Sequence, residues 1–304
     1  MALLFVPLLL GLRELYLWAQ PEEVSRDALL QYKSAYLNAP FFLLRTLLYF
    51  ATWVGVAYYL NKWSAEQDRT ADPSLLRRLQ LLSGAGLVLY VLTATFSSID
   101  WVMSLEPHWH STIYGMLFMA GHVLEGMAFV IVVAHFLAGE KPLSDVISRA
   151  HFHDLGNLLM GFLLFWAYIA FSQFLIVWSE NLKEEIPWYF SRTRGGWQGI
   201  GLSLIMLQFA LPFILLLSRA TKRRSQALAL VALVVLAMRL VDLFWVVAPA
   251  FHPTGLSVHW LDLVSPVGIG GIWIWTFLWL LKKRALLPLH DPRFSSAVGG
   301  MHGE

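Results

Sequence analysis

Two ionisable side chains lie close together inside an apolar stretch of the chain, where a charge is costly. His122 and Glu125 are three residues apart within residues 112–138, so an α-helix would place both on one face. Burial disfavours the charged form of each group, whereas their mutual attraction favours it, and such a pair can hold or pass a proton near neutral pH. The alternatives are a neutral glutamate that hydrogen-bonds to another helix and a contact to a bound ligand.

A second charged pair occurs in another apolar stretch. Arg239 and Asp242 are also three residues apart, in the string MRLVDLFW. Each charge costs about 2.5–3.5 kcal/mol at the centre of a membrane helix on insertion scales. An ion pair within one helix neutralises both charges, and this is the first interpretation. The alternatives are that the pair tunes proton transfer or binds a polar headgroup.

Acids and histidines, without lysine or arginine, occupy the segments near residues 100–111 and 250–262. We expect six of them to form the outer mouth of a proton path: Asp100, Glu106, His108, His252, His259 and Asp262. The histidines, with His110, could meet at a metal ion, but solvated histidines at an interface are the simpler interpretation and we predict no metal. Haem b is not expected either, because only His122 and His135 lie in apolar stretches, at different depths.

The composition identifies the class of protein that holds these residues. Hydrophobic residues make up 58% of the 304 positions, charged residues 14%, and the mean hydropathy is +0.60. A soluble domain would have roughly a quarter charged residues. There is no cysteine, which excludes disulfides, iron–sulfur clusters and covalently attached haem c within this chain. We therefore predict an all-α, polytopic membrane bundle without a soluble domain and without a directly bound cofactor.

About eight apolar stretches are long enough to cross about 30 Å of hydrocarbon as helices. They cover residues 1–19, 39–61, 79–99, 112–138, 155–178, 197–218, 226–249 and 263–282. The first is the weakest, because Arg13 and Glu14 interrupt it. If the eight helices alternate in direction, fourteen basic loop residues lie on one side and five on the other. This bias predicts a cytoplasmic C-terminus.

Four long strings and the C-terminal string closely resemble one protein family. They are SIDWVMSLEPHWHSTIYG (98–115), FHDLGNLLMGFLLFWAYIAFSQFLIVWSENLKEEIPWY (152–189), RLVDLFWVVAPAF (239–251), HWLDLVSPVGIGG (259–271) and LLPLHDPR (286–293). The family is the ActF-type membrane subunit of bacterial alternative complex III, a quinol:cytochrome c oxidoreductase. It is similar to the NrfD/polysulfide-reductase membrane family, and the resemblance covers most of residues 1–293.

The resemblance implies a fold of ten helices in two four-helix bundles, of which this chain lacks the first two helices. Residues 1–304 then form a single membrane domain with three parts. Residues 1–111 hold three helices of a partial first bundle, 112–249 hold the second four-helix bundle, and 250–304 hold the last helix and a cytoplasmic tail. The implied location is the bacterial inner membrane.

The resemblance also implies partners and a role. The partners are an ActC-type membrane subunit, subunits that carry haem c and iron–sulfur clusters, and in some systems a terminal oxidase. The implied role is a proton-conducting path or an accessory quinone contact, in which Glu125, His122, Asp242 and Arg239 form the intramembrane part. The alternatives are a structural membrane anchor for the redox subunits and an independent ion or solute transporter.

Overall fold

The computed structural model describes residues 2–70, 72–252 and 254–288, which form helices and connecting turns without a β-strand. The long helices are α1 (Ala39–Thr70), α2 (Pro73–Trp101), α3 (Tyr114–Leu137), α4 (Arg149–Glu180), α5 (Trp197–Leu217), α6 (Ser225–Val247) and α7 (Trp260–Leu281). Short helical segments precede or join them: Ala2–Phe5, Val6–Leu10, Leu12–Leu15, Leu17–Ala19, Pro21–Arg26, Ala28–Lys33, Met103–Leu105, Leu143–Asp145, Pro187–Arg192, Arg219–Arg223 and Ala248–Ala250.

The seven long helices are each long and apolar enough to cross a membrane. The predicted all-α membrane bundle is thus confirmed, with seven such helices in the described residues rather than about eight. The predicted helix over 1–19 is wrong, because this segment divides into short pieces. Gly11 separates two of them, Tyr16 is extended, and Trp18 turns back onto Phe42 of α1, with the ring centroids 5.3 Å apart.

Local sequence explains several helix ends. Asp72 accepts a hydrogen bond from the Ser74 backbone and begins α2, and a capping box between Ser148 and His151 begins α4. Asn181 ends α4 in the left-handed conformation that a C-terminal cap commonly adopts.

Helices α3 to α6 pack side by side around an apolar core, whose members include Leu124, Ile131, Leu159, Leu163 and Val235. Helix α2 packs on α3, and α1 packs on α2. Helix α7 lies outside this arrangement and touches α3 through Phe129, whose ring meets Trp273 and Phe277 at 4.8 and 5.0 Å between centroids.

The connections gather at two opposite ends of the bundle. We call the first end the Glu106 face, where the loop after α2 meets the loop after α4 through Arg192. There the loop after α6 joins them, since the Leu256 amide donates to the Gly195 carbonyl oxygen at 2.7 Å. We call the opposite end the Lys222 face, where the segment between α5 and α6 contacts α4.

Residues 2–38 cover the ends of α1 and α2 at the Glu106 face. The Tyr16 hydroxyl donates to the backbone oxygen of Trp101 at 2.9 Å, and the Lys33 amine donates to that of Pro107 at 2.6 Å. Burial lowers the pKa of Lys33. Between this segment and the α2–α3 loop lies a largely apolar cavity of about 460 Å³.

Candidate functional site

The deepest charges in the bundle lie on α6 where it faces α3. Arg239 and Asp242 are 3% and 9% exposed, and the structure joins them as an ion pair within one helix. Gly121 of α3 makes room for Arg239, because a Cβ atom at that position would overlap the guanidinium group. The close approach of the two helices therefore depends on the absence of a side chain at residue 121.

A distorted turn of α5 brings an amide next to this pair. Residues Leu204–Ala210 form a π-helix, a distortion that recurs at functional sites. Pro212 explains it locally, since proline has no backbone N–H to donate to the carbonyl of Gln208 four residues earlier. The Gln208 side chain is fully buried beside Asp242. Its amide forms no hydrogen bond of ordinary geometry with the described residues.

Three polar side chains continue from Arg239 toward the side of the bundle. His122 of α3 interacts electrostatically with Arg239, and its Nδ1 lies 3.4 Å from the hydroxyl oxygen of Tyr90 on α2. Tyr90 in turn interacts electrostatically with Glu125. Within the described residues no hydrogen bond or ion pair joins His122 directly to Glu125, and Tyr90 of α2 interacts with both groups.

Toward the Glu106 face, a buried tyrosine connects the α6 pair to a second ion pair. Tyr114, the first residue of α3, is 1% exposed and interacts electrostatically with Asp242, Arg192 and Glu106. Arg192 donates from Nη2 to a Glu106 carboxylate oxygen at 2.6 Å and to the backbone oxygen of Val246 at 2.6 Å. Tyr114 is therefore the one buried hydroxyl group described between the ion pair at this face and the α6 pair that interacts with both.

Arg192 is buried but stays close to a negative charge. Its side chain is fully covered, and its guanidinium lies 3.7 Å above the Trp188 ring. Burial lowers the pKa of Arg192, whereas the nearby Glu106 carboxylate acts in the opposite direction. Because the Glu106 side chain is 29% exposed, the ion pair is open to water on the Glu106 side.

These side chains, joined at some steps by a hydrogen bond or ion pair and at others by electrostatic interaction alone, form a set that we call the polar line. Its members in spatial order are Glu106, Arg192, Tyr114, Asp242, Arg239, His122, Tyr90 and Glu125. From Tyr114 to Glu125 it follows α3 for eleven residues, or about 16 Å at 1.5 Å per residue. Glu125 is half-buried and Tyr90 is exposed, so the line ends at the lateral surface of the bundle near mid-depth.

Apolar packing fills the other half of the bundle. Beyond the level of Glu125, the interior between α3, α4 and α6 consists of side chains such as Ala128, Ile131, Leu159 and Val231. A core of this kind holds no groups that carry a proton. Among the described residues, no hydrogen bond or ion pair extends the polar line from Glu125 toward the Lys222 face.

Five of the ten predicted site residues belong to the polar line, and five do not. The five outside it are Asp100, His108, His252, His259 and Asp262. Asp100 is fully buried and accepts hydrogen bonds from Arg45 Nε at 2.7 Å and from the Tyr49 hydroxyl at 2.7 Å. It thus joins α1 to α2 and does not lie at an open mouth.

The outer histidines have separate partners. His108 Nε2 lies 2.5 Å from the Asp27 carboxylate, and the hydrogen bond between them lowers the pKa of Asp27. His259 and Asp262 form the capping box that begins α7, and His252 contacts its neighbours through its backbone. Among the described residues, no three His, Asp or Glu side chains are placed as ligands of one metal ion.

Sequence reasoning missed four residues that matter here. Arg192 was counted only among the basic loop residues, and Tyr90 and Tyr114 were not singled out. One signal was available, since Tyr114 precedes His122 by eight residues and Glu125 by eleven, a spacing that places all three on one helix face. Gln208 could not be recognised because the π-helix around it is not visible in the sequence.

Comparison of the chain with protein-family models gives no match, and comparison with characterised proteins gives none either. The resemblance to ActF-type subunits, and the cofactors and partners that it implies, therefore remain predictions. The geometry of the polar line is the direct basis for the proposed function.

Proposed function

We propose that this chain is a cofactor-free membrane subunit of a bacterial quinol-oxidising respiratory complex of the alternative complex III type. In this proposal it lies in the inner membrane with its C-terminus in the cytoplasm, beside an ActC-type subunit and subunits that hold haem c and iron–sulfur clusters. Its role is to conduct protons along the polar line between the Glu106 face and mid-membrane.

The observation that supports the proposal is the succession of ionisable and hydroxyl groups from Glu106 to Glu125, in which the two arginines supply fixed charge and the carboxyl, imidazole and hydroxyl groups can exchange protons. Several of these groups are farther apart than a hydrogen bond, so water molecules have to bridge them during transfer. Protonatable chains of Asp, Glu and His inside membrane bundles are typical of proton relays. Since the line ends on the lateral surface, onward transfer requires a neighbouring subunit next to Glu125.

The decisive variant is Tyr114→Phe, which removes one hydroxyl from the middle of the line and keeps the ring. The matched control is Tyr168→Phe on α4, whose side chain is 66% exposed and outside the line. Both variants are made in the assembled complex and reconstituted into proteoliposomes. We expect Tyr114→Phe, and independently Glu125→Gln, to lower the number of protons translocated per electron, while electron transfer per assembled complex persists.

An unchanged proton-to-electron ratio in both variants, at normal assembly, would remove proton conduction from the proposal. A changed KM for quinol in Glu125→Gln, with an unchanged proton-to-electron ratio, would instead indicate an accessory quinone contact at the lateral end of the polar line. Purification of the chain as an active protein without redox subunits would indicate an independent transporter.

A structural anchor is the second candidate, and one observation favours it. The Asp100 carboxylate is fully buried and bonded by Arg45 through two nitrogens, at 2.7 and 3.1 Å, in the manner of a fixed structural pair. If the polar line has the same purpose, Tyr114→Phe and Glu125→Gln lower the yield of the assembled complex. Turnover and the proton-to-electron ratio of each intact complex then stay at the level of the Tyr168→Phe control.

A further inference from the structure

A cluster of basic residues lies at the end of the bundle opposite Glu106, and it is independent of the polar line. The segment between α5 and α6 carries Arg219, Lys222, Arg223 and Arg224 within six residues. No ion pair joins any of the four to a carboxylate in the part of the chain that the structure describes. We infer that this cluster binds the phosphate headgroup of an anionic phospholipid.

Lys222 is held in a way that presents its amine at the edge of the bundle. Its side chain lies over Gly156 of α4, where an added Cβ atom would be 2.7 Å from the Lys222 Cγ atom. The residue is 8% exposed, yet its Nζ reaches the exposed Asn157 and donates to Oδ1 at 2.7 Å. An ammonium group has three donors, and this contact uses one, so two remain for an anion.

The carboxylate nearest in sequence to Asn157 does not neutralise the lysine. Asp154 is one turn away on α4, its side chain is 74% exposed, and its oxygen lies 3.7 Å from His153 Nδ1. The same His153 nitrogen is 3.1 Å from the Asn157 amide. Lys222 is therefore paired with a neutral amide, and its charge remains available to a negatively charged group from outside the chain.

The surroundings fit a lipid rather than a soluble anion. Arg219, Arg223 and Arg224 are exposed, and they directly follow the end of the apolar helix α5. The preceding turns of α5 expose Ile214 and Leu217, at 63% and 55%, where acyl chains can pack. Basic residues at the ends of membrane helices bind anionic headgroups, and each favours binding roughly fivefold.

The test measures lipid selectivity with the full chain in phosphatidylcholine bilayers. Spin-labelled phosphatidylglycerol and spin-labelled phosphatidylcholine report the relative association constant by electron paramagnetic resonance. We expect a preference for phosphatidylglycerol that falls roughly fivefold or more, toward a ratio of one, in Arg223→Gln/Arg224→Gln. Both substituted side chains are exposed, so the fold is retained. Lys222→Met should lower the preference further.

The matched control is Arg77→Gln/Arg78→Gln, which removes two charges near the start of α2 at the same end of the bundle. If this control lowers the preference as much as Arg223→Gln/Arg224→Gln, general surface charge is responsible and the site is refuted. An unchanged preference in the Arg223 and Arg224 variant refutes it as well. Displacement of the labelled lipid by inorganic phosphate, at an ionic strength matched with chloride, would identify a phosphate site and overturn the lipid assignment.

Discussion

Breaking the buried pair between α1 and α2 should destabilise the chain strongly. The Asp100 carboxylate accepts hydrogen bonds from Arg45 Nε at 2.7 Å, from Arg45 Nη2 at 3.1 Å and from the Tyr49 hydroxyl at 2.7 Å. Asp100 is fully buried and Arg45 is 8% exposed. In Asp100→Asn the guanidinium stays buried without a counter-charge, so we expect the free energy of unfolding to fall by about 3–5 kcal/mol.

A double-mutant cycle separates this pairing from general damage. Arg45→Met should cost a similar amount, because it leaves the carboxylate buried alone. The double variant Arg45→Met/Asp100→Asn leaves no isolated charge, so its cost should be smaller than the sum of the two by about 2 kcal/mol or more. Tyr49→Phe removes one hydrogen bond to a charged group and should cost about 1.5–3 kcal/mol.

Unfolding in mixed micelles with increasing denaturing detergent, followed by tryptophan fluorescence and circular dichroism, measures these free energies. The control is Arg26→Met, because Arg26 and Glu23 form an exposed ion pair at 3.8 Å and such pairs contribute little. If the loss of unfolding free energy in the double variant equals the sum of the losses in Arg45→Met and Asp100→Asn within about 0.5 kcal/mol, the predicted coupling between Arg45 and Asp100 is refuted. A cost of Arg26→Met equal to that of Arg45→Met would also refute it.

Two further perturbations test the site and the covering N-terminal segment. Gly121→Ala would force Arg239 away from α3 and should lower the free energy of unfolding by about 1–3 kcal/mol in the same assay. The control is Gly161→Ala, where the Cβ position is open, and it should leave this free energy unchanged. Equal losses in the two variants would contradict the contact between Gly121 and Arg239. The pKa of Asp27 is lowered in the folded chain, chiefly by its hydrogen bond with His108. The stability that this contact contributes is therefore fully present above the pKa of an unfolded aspartate, at about pH 4. It is lost as the pH falls below that value and through the lower pKa of the folded chain. Faster hydrogen exchange at the Leu29 and Leu30 amides, which donate to Asp27, should begin in that window, and exchange that is independent of pH after correction for its intrinsic rate would refute the linkage.

Hydropathy was sufficient to predict the helices that are long and apolar, and it failed where tertiary contacts decide the structure. Three of the predicted stretches after the first, 39–61, 79–99 and 155–178, lie within α1, α2 and α4. The other four extend past the ends of α3, α5, α6 and α7 by one or two residues. The first stretch is apolar enough to suggest a helix, but Tyr16 and Trp18 gain more by packing on Phe42 than a straight helix would allow. Such a choice depends on residues far apart in the sequence.

The same limit applies to the candidate site. The pairing of Arg239 with Asp242 is local and could be predicted from their spacing. Asp100 and Glu106 find their partners, Arg45 and Arg192, 55 and 86 residues away. Sequence spacing carries no information about such contacts. Asp100 and Glu106 were therefore both predicted to lie at the outer mouth of a proton path, although each has a specific basic partner.

The buried acidic side chains of this chain differ in how many hydrogen bonds and ion pairs they form. This difference helps to distinguish a structural carboxylate from a candidate functional one. Asp100 accepts three hydrogen bonds from Arg45 and Tyr49, which hold its carboxylate in one position. Glu125 lies at mid-depth in α3, is half-buried, and forms no hydrogen bond or ion pair with the described residues. An ionisable side chain inside a membrane bundle without a fixed partner is by default a candidate functional group. Asp100 is therefore expected to serve the fold, whereas Glu125 is the candidate group for proton transfer in the proposed function.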